Sequence, residues 1–204
     1  SKMKEKIDPL GNSKIKVPFF IPNITLKEKK SMIKVLNSNL LTNGPNLLKF
    51  EDEFKKYTKS RYSVGVSNAT SALHLSLIAS GVKKGDEVII PDITFAATAN
   101  TILMTGAKPV FADVDLDDYN IDINSIKENI TKKTKAIIPV HFAGNPCKMD
   151  EILRLAKKYR LQIIEDCAHA IGSFYKNKHV GTFGESGCFS FYPTKNITTL
   201  EGGM

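Results

Sequence analysis

Apolar positions along this chain follow two alternating spacings, and the alternation predicts most of its elements. The stretch ITLKEKKSMIKVLNS opens with a capping box from Thr25 to Glu28 and sets Ile33 and Leu36 on one helical face. Phe50, Phe54 and Tyr57 mark a second amphipathic helix. In SVGVSNATSALHLSLIASG a short strand, a small-residue turn and a helix follow one another, and Gly81 stops the helix. Beyond it, compact apolar runs predict strands over 88–90, 109–111, 136–140 and 161–164. Helical spacing fills the gaps between them, over 96–105, 125–130 and 150–159. The aromatic run GCFSFYP reads as one more buried strand. Strands that alternate with helices imply right-handed crossovers and an α/β fold. Its form would be three-layered, with a mainly parallel sheet and helices on both faces. Ligands of such sheets bind beyond the carboxyl ends of the strands. Asp113, Asp166 and the loop of His141, Phe142 and Gly144 fall on that edge. Asp113, His141 and His74 are expected to serve packing and hydrogen bonding.

That edge carries the candidate chemistry. The 161–164 strand delivers Glu165, Asp166 and His169 to a loop, and Lys195 follows within SFYPTKNITTLEGG. A lysine at one strand end and an aspartate at another are the two groups that pyridoxal 5'-phosphate (PLP) chemistry requires. The amine bonds the aldehyde, and the carboxylate keeps the pyridine nitrogen protonated. A surface lysine and an aspartate in an ordinary ion pair is the alternative. Ser190, shortly before Lys195, could reach the same cofactor, for instance at its phosphate. The turn that opens the SNATSALHL helix supplies backbone N–H groups and a positive dipole end, both favourable to phosphate. Small Ala69 permits close approach there, and Thr70 adds a hydroxyl. A plain N-cap at Asn68 or Thr70 would account for the same residues. Phe95, just after a strand and at a helix start, suits an aromatic lid on a flat ring, or the core.

Taken in order, the blocks LTNGPNLLKFEDEF, SNATSALHLSL, PDITFAATAN, PVFADVD, PVHFAGNPCKMD, EDCAHAIGS and FYPTKNITTLEGG resemble the nucleotide-sugar aminotransferases of the DegT/StrS family. This is a branch of the fold-type I PLP enzymes, and the resemblance runs from about Val17 to Met204. It implies Lys195 as the Schiff-base lysine, Asp166 as partner of the pyridine nitrogen and Phe95 as the stacking aromatic. It also implies His169 near the phenolic oxygen, with Ala69, Thr70 and Ser190 around the phosphate. The implied reaction moves an amino group, from glutamate, to a keto sugar linked to a nucleotide, in amino-sugar or surface-polysaccharide synthesis. The implied assembly is a homodimer. A sugar dehydratase shares this fold but carries histidine at the lysine position, so Lys195 argues against it; a non-catalytic homologue is the other alternative. Two departures from the pattern stand out: Ala69 where glycine is common, and TLEGG where many relatives read TGEGG. The resemblance further implies a partial large domain over 17–204 after an extension over 1–16, without the C-terminal small domain. A sheet halted at Met204 is then expected to leave an uncovered edge, and the fragment alone to be inactive.

Composition changes the picture little. At 204 residues and 42% hydrophobic content the chain can bury a substantial single core. No apolar run reaches the roughly 18–20 residues that span a bilayer, and the basic start lacks the apolar segment of a secretory signal. The three cysteines, Cys147, Cys167 and Cys188, show no framework, which suggests reduced thiols in a cytoplasm. A formal charge of +8 invites nucleic acid as a partner. The lysines are scattered, however, in pairs such as 55–56 and 132–133, and no helix-turn-helix, zinc or RNP pattern accompanies them. No spacing suits a metal, and no G-x-G-x-x-G follows the first strand.

Overall fold

The computed structural model describes residues 21–204, so the expected extension over 1–16 and its junction at 17 lie outside them. The chain divides into two units, Ser1–Leu41 and Thr42–Met204. In the first, helix α1 (Leu26–Leu36) begins with the expected capping box, in which the Thr25 side chain accepts from Lys27 N and the Glu28 carboxylate from Thr25 N. It buries none of its residues.

The second unit is built on a five-stranded parallel sheet in the order β2-β1-β3-β4-β7. Its strands are β1 (Glu87–Pro91), β2 (Lys108–Ala112), β3 (Thr134–Ile137), β4 (Gln162–Asp166) and β7 (Ser186–Cys188). The helices are α2 (Pro45–Thr58), α3 (Ala69–Ala79), α4 (Ala96–Met104), α5 (Ile123–Asn129) and α6 (Met149–Tyr159). Alternate strand residues feed opposite layers, as a pleated strand requires. Ile89, Ile137 and Ile163 pack with Ile126 of α5 and with Met149, Ile152 and Leu155 of α6. Val88, Ile90, Ile138 and Ile164 pack with Leu73 and Leu77 of α3 and Ile102 of α4. The expected three-layer α/β architecture is therefore present, and the chain reverses direction across the sheet between β2 and β3. That reversal makes the carboxyl ends of β1 and β3 a topological switch point.

The elements shift from their predicted bounds for local reasons. Leu161 does not start β4, because its N–H closes the end of α6 on Ala156 O at 2.9 Å. Regular pairing of β3 stops before Pro139, which has no N–H to give, although the Pro139 carbonyl still accepts from Asp166 N. GCFSFYP is not one strand. Its first part pairs in parallel with β4, whereas Phe189 and Phe191 exchange antiparallel bonds with Gly202 and Met204. Gly203 bonds Val66 on its other side, so the last residues are paired on both flanks, while β7 ends the sheet with β4 as its neighbour and Leu75 and Ile78 of α3 stay exposed. A Cβ on Gly203 would come within 2.4 Å of the Asn68 carbonyl carbon, so only glycine fits against the start of α3. The aromatic face of this segment meets α2, with Phe191 against Phe50 and Phe189 against Phe54 at 5.0 Å between centroids. The hairpin of β5 (Phe174–Tyr175) and β6 (Lys178–His179) turns through Lys176 and Asn177, both at positive φ. That two-residue turn carries no glycine, so the sequence gives no signal for it.

Glu165, next to Asp166 in β4, is fully buried and organises the loop beyond β6. Its Oε1 accepts from Phe183 N at 2.7 Å and Gly184 N at 2.9 Å, and its Oε2 from Gly181 N at 2.7 Å. The fourth partner is His141 Nε2 at 3.0 Å. Because Cys147 N donates to His141 Nδ1, the ring proton sits on Nε2 and donates to the carboxylate. His141 is thus the packing and hydrogen-bonding group expected of it.

Two predictions follow from the backbone. Glu165→Ala strands three amide donors and an imidazole in a dry interior, so it should cost at least about 3 kcal/mol of stability. A denaturation midpoint within about 1 kcal/mol of the parent's would contradict this. Leu200, in the glycine position of TGEGG, is held at φ +72. Its N–H bonds Thr198 Oγ1 at 2.9 Å while the Thr198 hydroxyl bonds Phe191 O at 2.8 Å. A side chain in the left-handed region costs roughly 1 kcal/mol. Leu200→Gly should therefore raise the thermal midpoint, and a lower midpoint would show that the leucine repays its strain in packing.

Candidate functional site

Asp166 ends β4 with 5% of its surface exposed, at the carboxyl edge the fold predicts for ligands. Both carboxylate oxygens are held: Thr98 Oγ1 donates to Oδ2 at 2.9 Å, and Ala168 N donates to Oδ1 at 3.1 Å. Thr98 belongs to α4 and is fully buried. Sequence reasoning did not single it out. The only signal available was its place one turn after Phe95 in PDITFAATAN. Phe95 is the N-cap of α4, and the residue is 79% exposed.

Lys195 lies in the loop between Phe191 and Gly202 and is half-buried, with its N–H on Tyr192 O at 2.9 Å. Desolvation holds its amine below the ordinary lysine range, while the Asp166 charge pulls the other way. His169 is exposed, and its pKa is likewise lowered, first by desolvation and then by the Lys195 charge. Asp166 opposes that shift too. The three groups therefore share one electrostatic neighbourhood.

Ala69 and Thr70 are the first two residues of α3. The Asn68 side chain accepts from Ser71 N at 2.9 Å, so the cap alternative is real at Asn68. It leaves the Ala69 and Thr70 amides without an acceptor among the described residues. Ser190, 8% exposed, bridges to Gly203, and Gly203 in turn lies against Asn68 and Ala69. Ser190 and the start of α3 thus adjoin one segment. This donor set suits a phosphate, and Asp166, Lys195 and Phe95 suit an aldehyde-bearing pyridine ring. The residues present fit PLP.

Other clusters fit less well. His141, Glu165 and Cys167 bring one ligand atom each within 4.8 Å of one another. The Glu165 oxygens and His141 Nδ1 are already committed to backbone amides. Burial raises the thiol pKa of Cys167, and that of Cys188 to about 12, so both stay protonated. A cavity of about 780 Å³ lined by Arg61, Tyr62, Leu75, Ser186 and Met204 contains none of the predicted site residues. Asp113 is exposed and contributes backbone bonds to Ser125 and Asp122; His74 is partly buried in α3.

The chain is similar in sequence and fold to known proteins. The chain is 47% identical over 189 residues to the GDP-perosamine synthase of Escherichia coli O157:H7, covering 92% of this chain and 52% of that one. It is 44% identical over 188 residues to the spore coat polysaccharide biosynthesis protein SpsC of Bacillus subtilis, covering 92% and 48%. The chain therefore spans about half the length of the curated relatives it matches. Among solved structures, an aminotransferase from Psychrobacter cryohalolentis superposes with a TM-score of 0.88 at 42% identity, covering 91% of this chain and 48% of that one. The PLP form of a Streptococcus pneumoniae protein assigned as a sugar aminotransferase superposes with a TM-score of 0.89 at 36% identity, covering 92% and 52%. A profile of the DegT/DnrJ/EryC1/StrS aminotransferase family matches residues 22–204, and the chain belongs to that family.

Proposed function

We propose that this chain is the cofactor-binding part of a PLP-dependent aminotransferase that aminates a keto sugar linked to a nucleotide. The observation that carries the proposal is the pairing of a desolvated lysine with a locked carboxylate. Lys195 is held below its usual range within electrostatic reach of Asp166, whose oxygens are both hydrogen-bonded. Family membership and the names of the relatives support the sugar substrate. Glutamate as donor, a homodimer and a cytoplasmic setting complete the proposal. Among the described residues no helix is long and apolar enough to cross a membrane.

PLP supplies an aldehyde and an electron-accepting pyridine ring. The residues around it have separable tasks. The Lys195 amine would hold the aldehyde and, when free, would serve as the base that carries a proton at the substrate α-carbon. An amine can accept that proton only when neutral, and desolvation of Lys195 favours the neutral form. Asp166 would keep a proton on the ring nitrogen through its negative charge. Phe95 would stack on the ring, and His169 would hold its phenolic oxygen. The Ala69 and Thr70 amides, the Thr70 hydroxyl and Ser190 would hold the phosphate at the positive end of α3.

Glutamate-dependent amination of a panel of nucleotide-linked keto sugars, measured on a protein that carries this chain at the full length of its relatives, tests the proposal. Lys195→Ala should abolish turnover without lowering thermal stability at neutral pH. The sign follows from the depressed amine: the unfolded chain holds that proton more tightly, so the charged lysine costs the folded state stability below the ordinary lysine pKa. Removing it relieves that cost. Asp166→Asn keeps the shape but loses the charge, and should lower turnover by roughly 10²–10³. Near-parent turnover in Lys195→Ala would refute the proposal.

A further inference from the structure

The hydroxyl chain in the first turn of α4 has a direction. Thr98 Oγ1 spends its single hydrogen on Asp166 Oδ2, at 2.9 Å. Thr94 Oγ1 lies 2.8 Å from Thr98 Oγ1, so Thr94 must be the donor of that second bond. The donors run from Thr94 through Thr98 to the carboxylate, and each bond polarises the next. The same turn carries Phe95, whose carbonyl accepts from Thr98 N at 3.0 Å. One turn of helix therefore holds both the exposed ring of Phe95 and the donor that locks Asp166.

We propose that Thr98, with Thr94 behind it, is the positioning residue of the site: it fixes the Asp166 carboxylate plane and ties it in register with Phe95. The inference rests on the PLP assignment above and adds to it a residue that does not touch the cofactor. A carboxylate turns readily about its last torsion, whose wells are broad. Ala168 N pins one oxygen only, at 3.1 Å. The Thr98 hydroxyl pins the other, from a residue that is itself fully buried. A carboxylate fixed at both oxygens presents its charge to one place. Freed at Oδ2, it spreads that charge over several orientations and leaves a buried acceptor unmet.

The test compares Thr98→Val, which keeps the shape and removes the hydroxyl, with Thr98→Ser, which keeps the hydroxyl. The purified protein is titrated with PLP, and the affinity is read beside the visible spectrum of the bound form. Valine should weaken PLP affinity by roughly 10- to 100-fold, the worth of a hydrogen bond to a charged group. Serine should stay within about threefold of the parent. Where valine does not fold, Thr98→Ala supplies the same comparison. Parent-like affinity and spectrum without the hydroxyl overturn the proposal. So does a serine variant as weak as valine, since packing of the methyl would then explain both. If the parent protein itself binds no PLP, the proposed function falls, and this inference with it.

Discussion

The buried carboxylate of Glu165 is the constraint on which the edge of the sheet depends. An ion at 0% exposure is tolerable only when every lone pair has work. Three backbone amides and the imidazole of His141 provide it. In return they are fixed themselves. The turn over Gly181–Gly184 is wrapped onto the end of β4, and His141 anchors the loop after β3 through Cys147 N. Adjacent residues of a strand point to opposite faces. With Glu165 locked inward on one side, Asp166 has one direction left, toward α4 and the Lys195 loop.

The site then assembles from elements far apart in sequence. Thr98 reaches across from α4, Ala168 from the turn after β4, and Lys195 from the loop that Phe191 and Gly202 close. The Gly203 segment joins this loop to the start of α3, where an added Cβ would strike the backbone of Asn68 and Ala69. The phosphate-favouring helix start and the lysine loop are thus tied through backbone contact rather than through side chains.

Much of this was legible in the sequence, and the limits have physical causes. Alternation of apolar runs encodes which face a residue takes, so the three-layer sheet and the strand-end place of Asp166 were readable. It does not encode partners. Nothing in QIIEDC says that Glu165 binds amides near residue 181, because those contacts join positions that are distant along the chain. Thr98 was hidden for a similar reason: a threonine among small residues in a helix carries no mark of the carboxylate it meets. The run around Phe189 read as one strand because apolar content is blind to a change from a parallel to an antiparallel neighbour. The departure at Leu200, by contrast, was visible as a missing glycine, and the backbone there takes the conformation that glycine favours.

The central claim is that Lys195, and no other lysine, carries the cofactor. Borohydride reduction of the PLP-loaded protein, followed by peptide mass mapping, addresses it directly. The account predicts a pyridoxyl mass on the peptide that contains Lys195. A label on a different lysine, or none, would contradict it.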